Sequence, residues 1–200
     1  MTMVTLRERK RAATRQRIVE TAIALFEQRG IDAVTIEEIA AAAEVGKGTI
    51  YNYFDTKEDI IVAFLIDIDR PALAALPHRA REGESVAAAL DAAAWSLLEN
   101  KPDHLPFVKI FLARLVAADG FAEELQDFQD ALDLSLTAFF ENLLARPEVR
   151  RRRSIDELSL SFKTLSLGVH ILWCLEGPPF ATSRALCRHH MELLARELVS

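Results

Sequence analysis

The chain is expected to be all-α, and three observations carry that expectation. Beyond Pro77 no stretch alternates apolar and polar residues at period two. Apolar positions instead recur at i, i+3, i+4 in runs separated by proline, glycine or charged breaks. Two of those runs open with capping boxes, Thr35 with Glu38 and Ser154 with Glu157. About nine helices follow, arranged as an N-terminal three-helix domain over 1–55 and a larger helical domain over 56–200.

The first helix is expected from Thr5 or Leu6 to Arg29, burying Ile18, Ala22, Leu25 and Phe26, with Gly30 as a left-handed C-terminal residue. A second, over about 35–43, carries Ile36, Ile39, Ala40 and Ala43 at helical spacing. Its pattern breaks at Glu44-Val45-Gly46, and a third helix over about 47–53 completes a helix-turn-helix. That third helix is short and polar, with only Ile50 and Phe54 as an i, i+4 apolar pair. Its remaining residues are Lys47, Gly48, Thr49, Tyr51, Asn52 and Tyr53, types that suit phosphate oxygens and base edges. Gly48 costs about 1 kcal/mol against alanine in a helix, but a position without Cβ admits close approach of a groove floor.

Thr56 is placed to cap a fourth helix bearing Ile60, Ile61, Phe64, Leu65 and Ile68, expected to stop at Arg70-Pro71. It leaves the N-terminal domain and enters the body, so any signal between them passes along it. Further helical runs lie at about 84–100, 105–118, 121–145, 154–176 and 182–199. The fifth carries Val86, Leu90, Ala93, Ala94, Leu97 and Leu98, with Trp95 to one side. The eighth has two apolar stripes: Leu158, Phe162, Leu165, Val169 and Leu172, then Leu160, Leu167, Ile171 and Cys174. Such a helix must be covered on both sides, and the ninth, with Leu186, His190, Leu193, Leu194 and Leu198, covers one. The pattern fits a two-fold interface as well as two core helices of a monomer.

Half of the 200 residues are hydrophobic, enough for a sizeable core. The net charge of −6 is uneven: residues 1–17 set Arg7, Arg9, Lys10, Arg11, Arg15 and Arg17 against Glu8 for +5, leaving −11 on the remainder. A basic arm on an acidic body attracts phosphate locally without a globally adhesive surface. Two cysteines, Cys174 and Cys187, with no secretory segment indicate a reducing, cytoplasmic setting. The apolar run 157–175 contains Lys163, His170 and several hydroxyls, so it is expected as a buried helix and not a membrane span. Arg150–Arg153 precedes the Ser154 cap and is expected as a solvated loop pairing with carboxylates. Cys187-x-x-His190, beside His189, lacks the second ligand pair that metal sites usually supply, so no metal is expected. No nucleophile elbow, phosphate loop, catalytic triad or metalloprotease motif is present; neither an enzyme nor a cofactor is expected.

The series Thr35-Ile36-x-x-Ile39-Ala40-x-x-Ala43-x-Val45-x-Lys47-Gly48-Thr49-Ile50-Tyr51-x-Tyr53-Phe54-x-x-Lys57-Glu58 resembles the DNA-binding signature of the tetracycline-repressor (TetR) family of bacterial transcription regulators. Ile18-x-x-x-Ala22-x-x-Leu25-Phe26-x-x-x-Gly30 resembles that family's first helix, and the likeness covers about the first sixty residues. Two departures stand out: Glu44 where the family commonly has a turn glycine, and Gly46 where it has a capping serine or threonine. The resemblance implies a ligand-responsive regulator, a repressor by expectation, binding a pseudo-palindromic double-stranded operator as a homodimer.

On that reading Thr35, Lys47, Gly48, Thr49, Tyr51, Asn52, Tyr53 and Lys57 meet DNA. A small-molecule effector enters an apolar cavity bounded by helices four, five, seven and eight. Its expected lining is Phe64, Trp95, Phe111, Phe128 and Phe162 with Ser166 and His170. Leu167, Ile171, Leu186, His190 and Leu194 join two subunits. A hydrogen-bonded core histidine and ordinary core phenylalanines are the plainer reading of the cavity set. The rival function is a small-molecule-binding or enzymatic helical protein with a helix-turn-helix remnant, which salt-dependent, sequence-specific duplex binding would separate from the first.

Overall fold

The computed structural model describes residues 5–80, 84–117 and 123–199, with no strand among them. Its helices are α1 (Leu6–Arg29), α2 (Ile36–Ala42), α3 (Lys47–Tyr51), α4 (Lys57–Arg79), α5 (Val86–Trp95), α6 (Leu105–Ala117), α7 (Glu123–Leu144), α8 (Ile155–Glu176) and α9 (Ala181–Val199). A 3-10 turn, Pro102–His104, precedes α6. The expected start of the seventh helix at 121 lies outside the described residues. The chain gathers into two compact units, Met1–Asp67 and Ile68–Ser200.

In the N-terminal unit the three-helix pattern follows the local signals. Thr5 and Thr35 cap α1 and α2 through reciprocal boxes with Glu8 and Glu38. Ile18, Val19, Ala22, Phe26, Ile39, Ala40, Ile50 and Phe54 are buried. The α2–α3 turn is a Schellman arrangement: Val45 N–H donates to the Ala40 carbonyl at 2.9 Å and Glu44 N–H to that of Ala41 at 3.2 Å. This turn needs a left-handed residue, and Glu44 takes it with φ +54. Gly46 is the N-cap of α3 and makes no side-chain cap bond. Gly30 departs from the expected left-handed helical geometry: φ is +82 but ψ is extended at 151, while its N–H donates to the Phe26 carbonyl at 2.8 Å.

One expectation is corrected at α4. The helix does not stop at Arg70 but runs through Pro71 and Pro77 to Arg79. Proline forfeits one backbone bond, yet the turns beyond Pro71 bury Ala72, Leu73, Leu76 and Ala80, and that burial outweighs the local preference. Near its C-terminus, Asn142 Nδ2 donates to the Pro77 carbonyl at 2.9 Å. The compact N-terminal unit runs to Asp67. The first turns of α4 belong to the N-terminal unit because Lys57 Nζ donates to the Ile31 and Val34 carbonyls at 2.7 and 3.0 Å, and Arg15 meets Asp67 at 3.3 Å.

In the C-terminal unit α8 packs on α6, α7 and α9, and α5 packs on α9. By length and composition α8 could cross a membrane. Here it turns Leu158, Phe162, Val169 and Trp173 inward. Phe139, Phe140 and Phe162 form an aromatic cluster with centroids 5.1–6.3 Å apart. Arg184 of α9 holds Asp91 of α5 through two bonds of 2.5 Å and lies 4.8 Å over the Trp95 ring. Arg150 and Arg153 lie in the loop before α8; Arg150 N–H donates to the Leu198 carbonyl at 2.7 Å and Arg153 pairs with Glu197 at 3.0 Å.

Glu44→Gly should raise the stability of the N-terminal unit by about 1 kcal/mol, because glycine adopts the left-handed turn without a Cβ penalty. Urea unfolding of the two proteins, read by circular dichroism, measures the difference.

Candidate nucleic-acid interface and ligand cavity

In the N-terminal unit, α3 presents a polar face beside the first turns of α1. Thr5, Arg7, Lys10, Arg11 and Thr14 of the α1 end line one groove with Thr49, Asn52 and Tyr53, about 860 Å³ in volume. Arg7, Arg11 and Thr14 stand at i, i+4, i+7, so one helix face supplies both cations and the hydroxyl. Arg11 lies 5.7 Å over the Tyr53 ring, and Lys47 lies 5.8 Å over that of Tyr51. Tyr51 and Asn52 are exposed, Thr49 and Tyr53 half-buried. A Cβ built on Gly48 would meet nothing within 4 Å, leaving this stretch of backbone open to approach.

Three predicted residues carry internal commitments. Lys47 is bonded to Glu37 of α2, whose carboxylate is held below its usual range chiefly by that bond. Thr35 is exposed, but its hydroxyl serves the α2 cap, and the Glu38 carboxylate is drawn down to about 2 by the Thr35 N–H, Arg29 and the Thr35 hydroxyl. Lys57 spends two of its three donors on the Ile31 and Val34 carbonyls, so it braces the α1–α2 loop in addition to any outward role. Sequence reasoning missed Lys10, Arg11 and Thr14 as groove residues because it treated the basic arm as charge alone; their helical spacing was the available signal.

In the C-terminal unit, a partly open cavity of about 240 Å³ lies among α4, α6, α7 and α8. Phe111, Phe128 and Phe162 are on its wall with Ser166 and His170, and Phe111 meets Phe128 edge-on at 6.3 Å. Two predicted residues are not on that wall. Phe64 falls in the other unit, and Trp95 is covered by Arg184. The wall expected from α5 is supplied instead by Phe111, Leu112 and Leu115 of α6, with Leu97 entering from the turn after α5. Leu132, Leu136 and Asp69 complete much of the remainder.

One end of the cavity is polar. Asp69 and Lys101, 6% and 5% exposed, form an ion pair at 2.6 Å, and Lys101 Nζ also donates to the Leu97 carbonyl at 2.6 Å. Burial pushes the Asp69 carboxyl up, against the pull of Lys101. His170 Nδ1 lies 2.8 Å from the Ser166 carbonyl. Burial, followed by the Lys101 charge, drives the imidazole down to about 4, so it is neutral at physiological pH.

Of the predicted subunit-joining residues, Leu167 and Ile171 are exposed, Leu186 and His190 half-buried, and Leu194 buried. The inward stripe of α9 is Ser183, Cys187, Met191, Leu194, Ala195 and Leu198, which puts Leu194 in the subunit's own core. Cys174 is likewise buried and leaves the outer stripe of α8. That stripe instead reads Leu160, Leu167, Ile171 and Leu175, and on α9 Leu193 and Val199 are exposed. Burial raises both thiols, Cys187 to about 12, and no metal-ligating cluster occurs among the described residues.

Residues 18–64 match the sequence profile of the bacterial regulatory proteins of the tetR family. The chain resembles the TetR family of transcription regulators. It is similar to the HTH-type transcriptional regulator TcmR of Streptomyces glaucescens, 27% identical over 189 residues, which cover 80% of this chain and 84% of TcmR. It is 38% identical over 64 residues to the HTH-type transcriptional repressor DhaR of Mycobacterium sp. (strain GP1), covering 30% of this chain and 32% of DhaR. Its fold resembles that of Thermus thermophilus FadR, a TetR-family repressor solved with lauroyl-CoA: TM-score 0.72, 20% identity, 90% of this chain and 92% of that one. TetR-family regulators bind DNA operators and small-molecule effectors, typically as dimers, and the chain is a transcriptional regulator rather than an enzyme.

In this chain His170 sets a pH dependence. Its folded pKa of about 4 lies below the ordinary 6.5. The unfolded chain therefore takes up the proton first, and stability falls as pH drops from about 6.5 to about 4. His170→Gln should flatten the decline over that window, measurable by urea melts from pH 7 to pH 4.5.

Proposed function

We propose that this protein is a homodimeric repressor whose N-terminal groove and α3 engage a pseudo-palindromic duplex in the cytoplasm and whose C-terminal cavity takes the releasing effector. The observation that carries the DNA-facing half is the joining of Arg7, Lys10 and Arg11 with Thr49, Asn52 and Tyr53 in one groove. Cations there would meet phosphate, and the polar residues of α3 would lie nearest the bases. Lys47 would exchange its Glu37 partner for DNA.

The dimer would form on the outer stripe of α8 and the exposed residues of α9. Leu175 is 77% exposed and Leu167 41%, and a contiguous apolar stripe of that kind marks an interaction surface. A two-fold axis would then set two reading heads at a fixed separation, about one DNA turn or a multiple. Effector binding would act on α4, which contributes Asp69 to the cavity wall and begins in the N-terminal unit. The effector shifts operator affinity only through its differential affinity for the two states.

Duplexes selected from a random pool provide the binding test. Lys47→Ala and Tyr51→Phe should weaken the selected duplex with melting temperature unchanged. Arg11→Ala should weaken all duplexes and lower the slope of log affinity against log salt by about one for each phosphate left without its cation. Unchanged binding in these variants, measured by fluorescence anisotropy, would sink the assignment.

Assembly has its own check. Leu167→Arg should convert dimer to monomer in sedimentation runs and abolish tight operator binding while the helical content persists. Leu194→Arg should lower folding stability by several kcal/mol, since the charge enters the subunit's core.

A further inference from the structure

We propose that the cavity binds an uncharged, mostly apolar molecule of roughly ten non-hydrogen atoms bearing one hydroxyl, which docks at Asp69 and Ser166. The inference rests on the reading of this cavity as the effector site and specifies the chemistry of that effector.

Size comes first. An apolar protein cavity of about 150 Å³ takes benzene, so scaling to 240 Å³ admits a compact molecule of roughly ten non-hydrogen atoms. Phe111, Phe128, Leu132, Leu136 and Phe162 make most of the surface such a body would touch. Edge-to-face packing of Phe111 on Phe128 offers ring faces and edges to a planar substituent.

Charge decides the next step. Every formal charge on the wall is answered within the protein: Asp69 by Lys101, and Lys163 by Asp133 at 2.6 Å. His170 adds no charge near neutral pH. At the buried Asp69–Lys101 end a carboxylate or ammonium ligand would therefore lose its hydration without a free counter-ion, which is costly. An uncharged molecule avoids that cost.

Two buried groups on the wall retain hydrogen-bonding capacity. Ser166 Oγ, in a residue 6% exposed, has no hydrogen-bond partner, an uncommon state for a buried hydroxyl. The Asp69 carboxylate meets Lys101 Nζ at 2.6 and 2.8 Å and has further lone pairs available. Both residues line the same cavity, where a ligand hydroxyl can donate to Asp69 and can accept from Ser166. A ketone or ether would leave Asp69 unanswered, because it has no proton to donate.

Calorimetry and thermal shift on the full chain without DNA test this with 4-propylphenol, propylbenzene, 4-propylbenzoate and 4-propylbenzylammonium. The phenol is expected to bind about tenfold tighter than propylbenzene and at least about tenfold tighter than either charged analogue. Ser166→Ala should cut the phenol's affinity severalfold, leave propylbenzene unchanged and keep the parent melting temperature, since the deleted hydroxyl has no protein partner. Leu132→Trp should abolish binding of all four by filling the cavity. Equal binding of phenol and propylbenzene, tighter binding of a charged analogue, no binding of either neutral probe, or insensitivity to Ser166→Ala would each overturn the proposal. Operator affinity measured separately keeps the readings apart. A bound phenol that leaves operator affinity unchanged counts against the cavity as a release site only, whereas release by a charged compound alone counts against the proposed chemistry only.

Discussion

A carboxylate and an ammonium removed from water together cost several kcal/mol each in desolvation and recover it only through close mutual contact and further hydrogen bonds. Asp69 and Lys101 meet those terms: they pair at 2.6 Å, and Lys101 also answers the Leu97 carbonyl. The pair joins α4 to the segment after α5 and places one polar end on an otherwise apolar cavity. Its mutual neutralisation governs what that end can accept, and its positive member helps keep His170 neutral. A ligand that touched Asp69 would act on α4 at the first turn of the C-terminal unit.

The N-terminal unit faces a different constraint. A five-residue helix cannot sustain itself in water, so α3 depends on what brackets it. The Schellman turn at Glu44 enters it, Ile50 and Phe54 anchor it, and Lys57 holds the carbonyls of the loop between α1 and α2. The polar face so presented is pre-paired within the protein, with Lys47 on Glu37 and Arg11 over Tyr53. Exposed pairs of this kind are weak and screened, so phosphate can displace them at little cost.

Apolar surface divides the C-terminal unit into three roles. Phe139, Phe140 and the inward face of α8 are core. Phe111 and Phe128 meet at the cavity, with Phe162 serving both. Leu160, Leu167, Ile171 and Leu175 remain outside. All three groups are large apolar side chains at helical spacing, so residue type alone does not separate them.

What the sequence determined by itself was whatever rests on neighbours a few residues apart. The capping boxes at Thr35 and Ser154, the break at Glu44–Gly46 and the polar composition of α3 are local, and they sufficed for helix order, fold class and family likeness. Tertiary structure alone decided questions that turn on distant partners. Burial of Leu73 and Leu76 carried α4 through Pro71, a cost that local preference could not have offset. The inward stripe of α9 settled on Cys187 and Met191, drawing Leu194 into the core, because α5 and α8 together define where its apolar surface can go. Asp69 and Lys101, thirty-two residues apart, became a pair only when two segments closed over them, since a long-range pairing leaves no periodic trace along the chain.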